Sequence, residues 1–518
     1  MSAASSIANG SASGASRMRQ LFAAMASRPL WLAFVVTALL TALRLTGTVD
    51  SDVAWQLWIA RQMHAGANLY TDIIETNPPL WFWMAMPVDR AASLLGFRSE
   101  DVLILTIGGV CALSLCATDR LTRHIPARHR ILLLAYEALA LMGMPWMHLG
   151  QREQIVLIGT VPYAALVAAR REGKPVGSLL AVLVGIGAAL GFALKHYFLL
   201  VPGLLELWLL AGLRKNWRPI RPETTAIVSV GAAYTAAIIL LERDFLTNIV
   251  PLLRLAYGVF GPPSLRYLFG PFALAGLLIL GVVVGNARLL THKKAPFAEA
   301  LLVAATAFSA VYFIQFKGWL YHAIPLLGFA SLALAALLAE SREPARILRL
   351  VAPAILAVPL FLSFEEWQHQ APDRDLQQAI SGLREGDTVG FLSENTALAW
   401  SVTLQHGFRY ASRYNGLWMM SAIVGNESRR SADPRLTALG LQVVAETVRD
   451  FGCAPPKRII VSRPRRGEGT LDMLAIFNRD PGFRDLMSHY KVRSRSSLET
   501  FEIISPLPRP TFPCRTGV

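Results

Sequence analysis

The chain has 518 residues, 53% of them hydrophobic and only 16% charged, with a formal net charge of +15. Ordinary soluble domains carry roughly 25% charged residues, so this balance excludes a chain built only of such domains. A mean hydropathy of +0.42 points instead to lipid as the main solvent.

The apolar residues fall in blocks of about 17–20, the length of a membrane-crossing helix. Helices are implied because lipid offers no partner for free backbone groups. The short alternating strands of a porin-like barrel are not evident. The cations sit mostly in short loops between apolar blocks, where they set topology, which argues against nucleic acid as a partner.

The opening residues, Met1 to Ser16, are rich in Ala, Ser and Gly and predict a disordered cytoplasmic N-terminus over 1–28. Arg17, Arg19 and Arg28 then precede an apolar run that is long and lacks a convincing cleavage site. That run is read as an uncleaved first span rather than a signal peptide. Eleven spans are predicted: 29–46, 101–118, 131–147, 154–169, 177–194, 197–212, 224–241, 271–286, 297–315, 321–339 and 350–363.

With the N-terminus inside, alternate loops should be basic. One set carries Arg120, Arg123, Arg128 and Arg130; Arg170, Arg171 and Lys174; Arg214, Lys215, Arg218 and Arg221; Arg288, Lys293 and Lys294; and Arg342, Arg346 and Arg349. The short loops opposite carry chiefly Arg152, Lys195 and Lys317. Two longer outside loops, 47–100 and 242–270, look partly interfacial. Trp55 to Met63 has the spacing of an amphipathic helix with tryptophans suited to headgroup depth. The apolar run 79–95 is broken by Pro87-Val88-Asp89-Arg90 and reads as a membrane-surface helix.

Residues 29–363 therefore form a transmembrane domain, and 364–518 fall outside. There the apolar blocks shorten to strand length, at 388–392 and 458–462, with a helix-like stretch from Pro434 to Phe451. A soluble α/β domain of about 150 residues is predicted. Its arginine clusters, Arg429/Arg430 and Arg463/Arg465/Arg466, read as solvated, with an anionic lipid surface as the alternative. Cys111 and Cys116 lie in a span and read as small apolar residues. Cys453 and Cys514 both fall in the outside domain, where a disulfide is permitted but not dictated.

Charge near a membrane needs an explanation, because a buried ion is costly unless paired or hydrated. The notable polar groups lie at the outside ends of helices: Asp50 and Asp52, Asp72, Glu75, Gln151-Arg152-Glu153, Lys195-His196, and Lys317 with His322. Singly, each reads as a helix end meeting water. Jointly they suggest a cavity opening outward. Asp50-Ser51-Asp52 places two carboxylates one residue apart, able to bind a cation or leave one as a general base. No metal-ligand spacing of Cys or His appears. The sequence requires no cofactor, and a divalent metal is left open.

The run from Asp52 through Ala60-Arg61, Gly66, Leu69-Tyr70 and Asn77-Pro78-Pro79-Leu80 resembles the first outside loop of the GT-C glycosyltransferases. The nearest branch is the protein mannosyltransferase, aminoarabinose transferase and rhizobial lipopolysaccharide-core transferase group. Arg152-Glu153 resembles that group's Arg-x-Asp element, with Glu in place of Asp. Lys195-His196-Tyr197-Phe198 and the stretch from Lys317 to Pro325 resemble later outside-facing motifs. The likeness covers about 29–340; the C-terminal domain matches nothing that can be named.

The resemblance implies a GT-C-like polytopic α-helical membrane protein that moves a hexosyl or pentosyl group from a polyprenyl-phosphate-linked donor. The acceptor would be an envelope glycan such as lipopolysaccharide, a lipid or a protein, on the periplasmic side of a bacterial inner membrane. Aligning Ala60-Arg61 puts the catalytic carboxylate at Asp52, with Asp50 as second choice, acting as general base. Lys195, Lys317, Arg152 and His322 would stabilise the charge developing on the phosphate. Glu75 would orient acceptor or donor, and Glu153 and His196 join the substrate-binding set. The usual Lys-Pro neighbour of Glu75 is replaced by Thr76-Asn77-Pro78, which puts one charge contact in doubt. A lipid or glycan transporter or flippase is the rival, but span middles are largely uncharged and no repeat is evident. A polysaccharide polymerase or ligase would carry a very large outside loop between spans.

Overall fold

Every apolar block predicted as a span coincides with a helix in the computed structural model. It describes residues 28–259, 263–289, 295–341, 346–368, 373–427, 431–464, 471–510 and 514. The predicted disordered N-terminus up to residue 27, Lys293, Lys294, Arg342, Arg429, Arg430, Arg465 and Arg466 lie outside the described residues, as do the side chains of Arg288 and Arg346.

The helices matching the predicted spans are Pro29–Arg44, Ser99–Leu121, Ala127–Ala138 (continued by a π turn, Leu139–Gly143), Arg152–Arg171, Ser178–Ala193, Leu200–Leu213, Pro222–Leu241, Pro271–Leu289, Pro296–Gln315, Ile324–Glu340 and Arg346–Gln368. Among the described residues, six helical segments are long and apolar enough to cross a membrane: Ser99–Leu121, His196–Asn216, Pro222–Leu241, Pro296–Gln315, Leu320–Glu340 and Ile347–Gln368.

The chain divides into two units. The first comprises Met1–Gly47, Ile104–Ala232 and Pro263–Trp367. Its helices approach closely where one side lacks a side chain: a Cβ on Gly191 would stand 2.9 Å from the Val156 Cα. Small residues at such crossings let backbones pack without a solvent-driven hydrophobic term. The Phe308 and Phe329 rings stack at 5.1 Å between the Pro296–Gln315 and Ile324–Glu340 helices. The basic loop residues of this unit are not all solvated. Arg170 and Arg221 both pair with the buried Glu223, because a carboxylate taken out of water needs charged partners.

The second unit comprises Thr48–Leu103, Ala233–Pro262 and Gln368–Val518. It holds a five-stranded sheet in the order β2-β1-β3-β5-β4, with β1 Thr388–Leu392, β2 Arg409–Tyr410, β3 Arg458–Ser462, β4 Tyr490–Arg495 and β5 Leu498–Ile503. β2, β1 and β3 are parallel; β5 runs antiparallel to both β3 and β4. The strands at 388–392 and 458–462 thus lie where the apolar runs predict, with the Pro434–Cys453 helix between them. Cys453 and Cys514 form a disulfide with Cα atoms 5.6 Å apart.

The core of this unit joins Leu392, Tyr414, Trp418, Phe451, Ile459 and Phe483 with Ala256 from the second long loop. The first long loop is built in as well. The Leu80–Leu95 helix runs unbroken through Pro87, and Asp89 is buried, accepting from Ser99 Oγ at 2.7 Å and lying 3.1 Å from His64 Nδ1. Trp55 and Trp58 do not present themselves to headgroups as expected. Every residue from Val53 to Ala60 is buried, and Trp400 and Tyr410 cover the two indoles.

Candidate active site

In the second unit, the chain leaves an extended Asp50 and enters the Ser51–His64 helix. Asp50 is the N-cap: its carboxylate accepts the Asp52 backbone N–H at 2.8 Å. Capping satisfies one of the orphan donors of the first turn. Asp52 stands in that first turn, half-buried like Asp50. The two carboxylates are therefore not equivalent, although the triplet makes them look so.

Glu75 is buried at 3% exposure, and its oxygens are taken by the protein. Oε2 accepts the Trp55 indole N–H. Oε1 accepts Asn77 N and Nδ2, both at 2.7 Å, and Thr76 Oγ1 at 3.3 Å. Glu75 thus ties the loop to the helix that carries Asp52. The loop is held further by Tyr70, at φ 73°, whose hydroxyl donates to Asn77 O, and by Ile74 N, which donates to Arg413 O at 2.9 Å. Asp72 closes a local turn, accepting Asn68 N and Nδ2.

In the first unit, a π turn and Gly150 (φ 88°) lead into Gln151-Arg152-Glu153-Gln154, all buried at the start of the Arg152–Arg171 helix. Gln154 holds that turn, accepting Gly150 N at 2.6 Å and donating to Leu141 O at 2.8 Å. Glu153 lies in the first turn, where the dipole offsets part of its desolvation. Lys195 occupies the break after the Ser178–Ala193 helix. Its Nζ donates to Glu153 Oε1 at 2.5 Å, to His322 Nε2 at 3.0 Å and to Gln315 Oε1 at 3.3 Å.

His322 also feels the charges of Arg152 and Lys317. Lys317 is held in a turn between two left-handed residues, Phe316 (φ 47°) and Gly318 (φ 68°). A Cβ on Gly318 would stand 3.0 Å from the Tyr267 carbonyl, so this position suits glycine on both counts. Partial burial lowers the Lys317 pKa, since desolvation disfavours the ammonium.

Arg152, Glu153, Lys195, Lys317 and His322 are thus brought together, and Asp50, Asp52 and Glu75 share one short stretch of the other unit. His196 is exposed and its ring lies tilted at 40° beside that of Tyr197, centroids 3.9 Å apart, away from those contacts. Sequence reading missed Gln315, and it missed the 2.9 Å pair of His148 and Glu366; both Gln315 and Glu366 are polar residues ending an apolar run, the available signal. Among the described residues no three His, Cys, Asp or Glu side chains gather as a metal-binding group.

No protein-family model and no curated protein matches the chain in sequence. In structure it is similar to ArnT from Cupriavidus metallidurans bound to undecaprenyl phosphate, at TM-score 0.54 and 13% identity, over 93% of this chain and 99% of that one. It is also similar to the arabinofuranosyltransferase AftD from Mycobacteria, at TM-score 0.50 and 14% identity, over 93% of this chain but only 40% of AftD. The chain therefore shares the fold of these two proteins.

Proposed function

We propose that the chain is a glycosyltransferase of the bacterial inner membrane. It moves a sugar from a polyprenyl-phosphate carrier to an envelope glycan, lipid or protein on the periplasmic side. In this reading the helices cross the membrane eleven times, and residues 364–518 are periplasmic. The observation that carries it is Asp52 in the first turn after an Asp50 cap, in a loop of GT-C pattern on a chain of GT-C fold.

Asp52 acts as general base. The acceptor oxygen bonds to the anomeric carbon while the bond from that carbon to the carrier phosphate breaks. The hydroxyl proton passes to Asp52, and the bonding pair leaves with the phosphate, which gains a negative charge. Inversion follows from attack opposite the leaving group. Asp50 serves Asp52 by holding the helix start, and Glu75 serves it by fixing the loop to Trp55. Charge developing on the phosphate needs a preorganised positive environment; Arg152, Lys195, Lys317 and His322 supply it, with Glu153 setting its net charge. His196, exposed beside Tyr197, completes the binding set.

The test is transfer by the full chain in liposomes, using radiolabelled polyprenyl-phosphate sugars and an envelope acceptor extract. Label should move to the acceptor fraction. No transfer from any such donor, with the donor instead crossing the bilayer, would establish the transporter alternative.

A further inference from the structure

An ammonium has three N–H donors and no acceptor. All three Lys195 donors have acceptors in Glu153, His322 and Gln315, at 2.5, 3.0 and 3.3 Å. Because Lys195 donates, His322 Nε2 must accept, and the proton of the neutral ring resides on Nδ1. Glu153 does not offer an Nε2–H an alternative: its Oε1 lies 3.6 Å away, beyond hydrogen-bond range.

The consequence falls on the other ring nitrogen. His322 is buried, and its Nδ1 has no hydrogen-bond partner among the described residues. Buried donors in native proteins are paired with protein, water or a ligand, so an unpaired one marks a place for something else. The His322 ring as a whole lies 4.6 Å from the Tyr321 ring and 5.2 Å from the Trp319 ring, centroid to centroid, and Trp319 is 36% exposed.

Resting on the carrier reading above, we propose that Lys195 acts as a positioning residue that sets His322 in the Nδ1–H tautomer, and that this N–H is the donor given to the carrier phosphate. Lys195 contributes its charge through space, while its hydrogen bonds stay within the protein. His322 keeps its proton throughout: it donates a hydrogen bond that strengthens as the phosphate gains charge, and the transferred proton still goes to the base. A cationic His322 beside Lys195, Arg152 and Lys317 is not needed.

The amide nitrogen of asparagine falls near the histidine Nδ1 position, whereas glutamine reaches Nε2. Binding of undecaprenyl phosphate to the full chain in nanodiscs, followed by native mass spectrometry, separates the cases. His322→Asn should bind within about threefold of wild type, and His322→Gln about tenfold or more weaker, the scale of a lost bond to a charged group. Lys195→Met with Glu153→Gln keeps the net charge unchanged but frees the tautomer, and should weaken binding about tenfold. Adding His322→Asn to that pair should restore it, since an amide donor does not depend on Lys195.

Failure of that rescue would mean that Lys195 holds the phosphate itself, and His322→Gln binding like wild type would leave Nδ1 to a buried water; either overturns the proposal alone. Wild type failing to bind undecaprenyl phosphate would remove the carrier reading and this inference with it. Nitrogen NMR of ring-labelled histidine in the wild-type chain should show a histidine protonated at Nδ1 only, assigned by its loss in both His322→Gln and His322→Asn. Protonation of His322 at Nε2 would overturn the assignment.

Discussion

The Asp50 carboxylate accepts the backbone N–H of Asp52, so one of two neighbouring acids is committed to starting a helix and the other is carried by it. Replacing Asp50 by Ser keeps a capping oxygen and removes the charge; replacing it by Ala removes both. Asp50→Ser should therefore transfer sugar within about threefold of wild type, with near-unchanged stability, since Ser caps about as well as Asp. Asp50→Ala should lose about 1 kcal/mol. Thermal unfolding and transfer rate together check the pair. A large rate loss in Asp50→Ser at normal stability would move the base to Asp50.

Glu75 and Trp55 should behave as one unit. In Glu75→Gln an amide N–H2 must face a donor, either the Trp55 indole or the Asn77 N–H groups. A buried mismatch of this kind costs about 1–3 kcal/mol. Trp55→Phe removes one of those donors, so the double variant should cost less than the two singles summed, with a coupling of about 0.5–3 kcal/mol. Denaturation midpoints of the four proteins measure it directly.

The Glu153–Lys195 pair should tolerate removal together better than removal singly. Losing one partner leaves a buried charge, which costs about 3–5 kcal/mol. Glu153→Gln alone should therefore be markedly less stable than Glu153→Gln with Lys195→Met. Thermal unfolding in detergent gives the ordering, and equal losses in the two proteins would contradict it.

Lys317 should set an alkaline limb of activity. Burial disfavours its ammonium, so its pKa lies below the ordinary lysine value, and the charge is lost at a lower pH than for a free lysine. Arginine stays charged throughout the accessible range. Lys317→Arg should shift the alkaline fall of the transfer rate to higher pH. A pH profile unchanged by that substitution would show that the Lys317 charge is not used.

Much of the fold was legible because its dominant signals are local. An apolar run of membrane length is a helix wherever it occurs, and the runs at 388–392 and 458–462 are strands. Asp52 was preferred to Asp50 only by aligning Ala60-Arg61 with the GT-C pattern; that Asp50 caps the helix and Asp52 follows in its first turn could not be read from the triplet. What could not be read depends on contacts distant in sequence. Trp55 and Trp58 carry an interfacial pattern, yet Trp400 and Tyr410, far later in the chain, bury them. That Glu75 accepts from an indole of the preceding helix could not be read from its own loop. His196 follows Lys195 directly, but the backbone changes there from extended to a 3-10 turn, so adjacent side chains part. Cys453 and Cys514 could only be permitted to pair until their Cα distance was known.

The most direct measurement is the transfer rate of Asp52→Asn from a polyprenyl-phosphate sugar donor in membranes, at protein levels matched to wild type and with Asp50→Ser alongside. A general base contributes about 100- to 10,000-fold, so Asp52→Asn should fall by at least about 100-fold while Asp50→Ser does not. Full activity in Asp52→Asn would contradict the account.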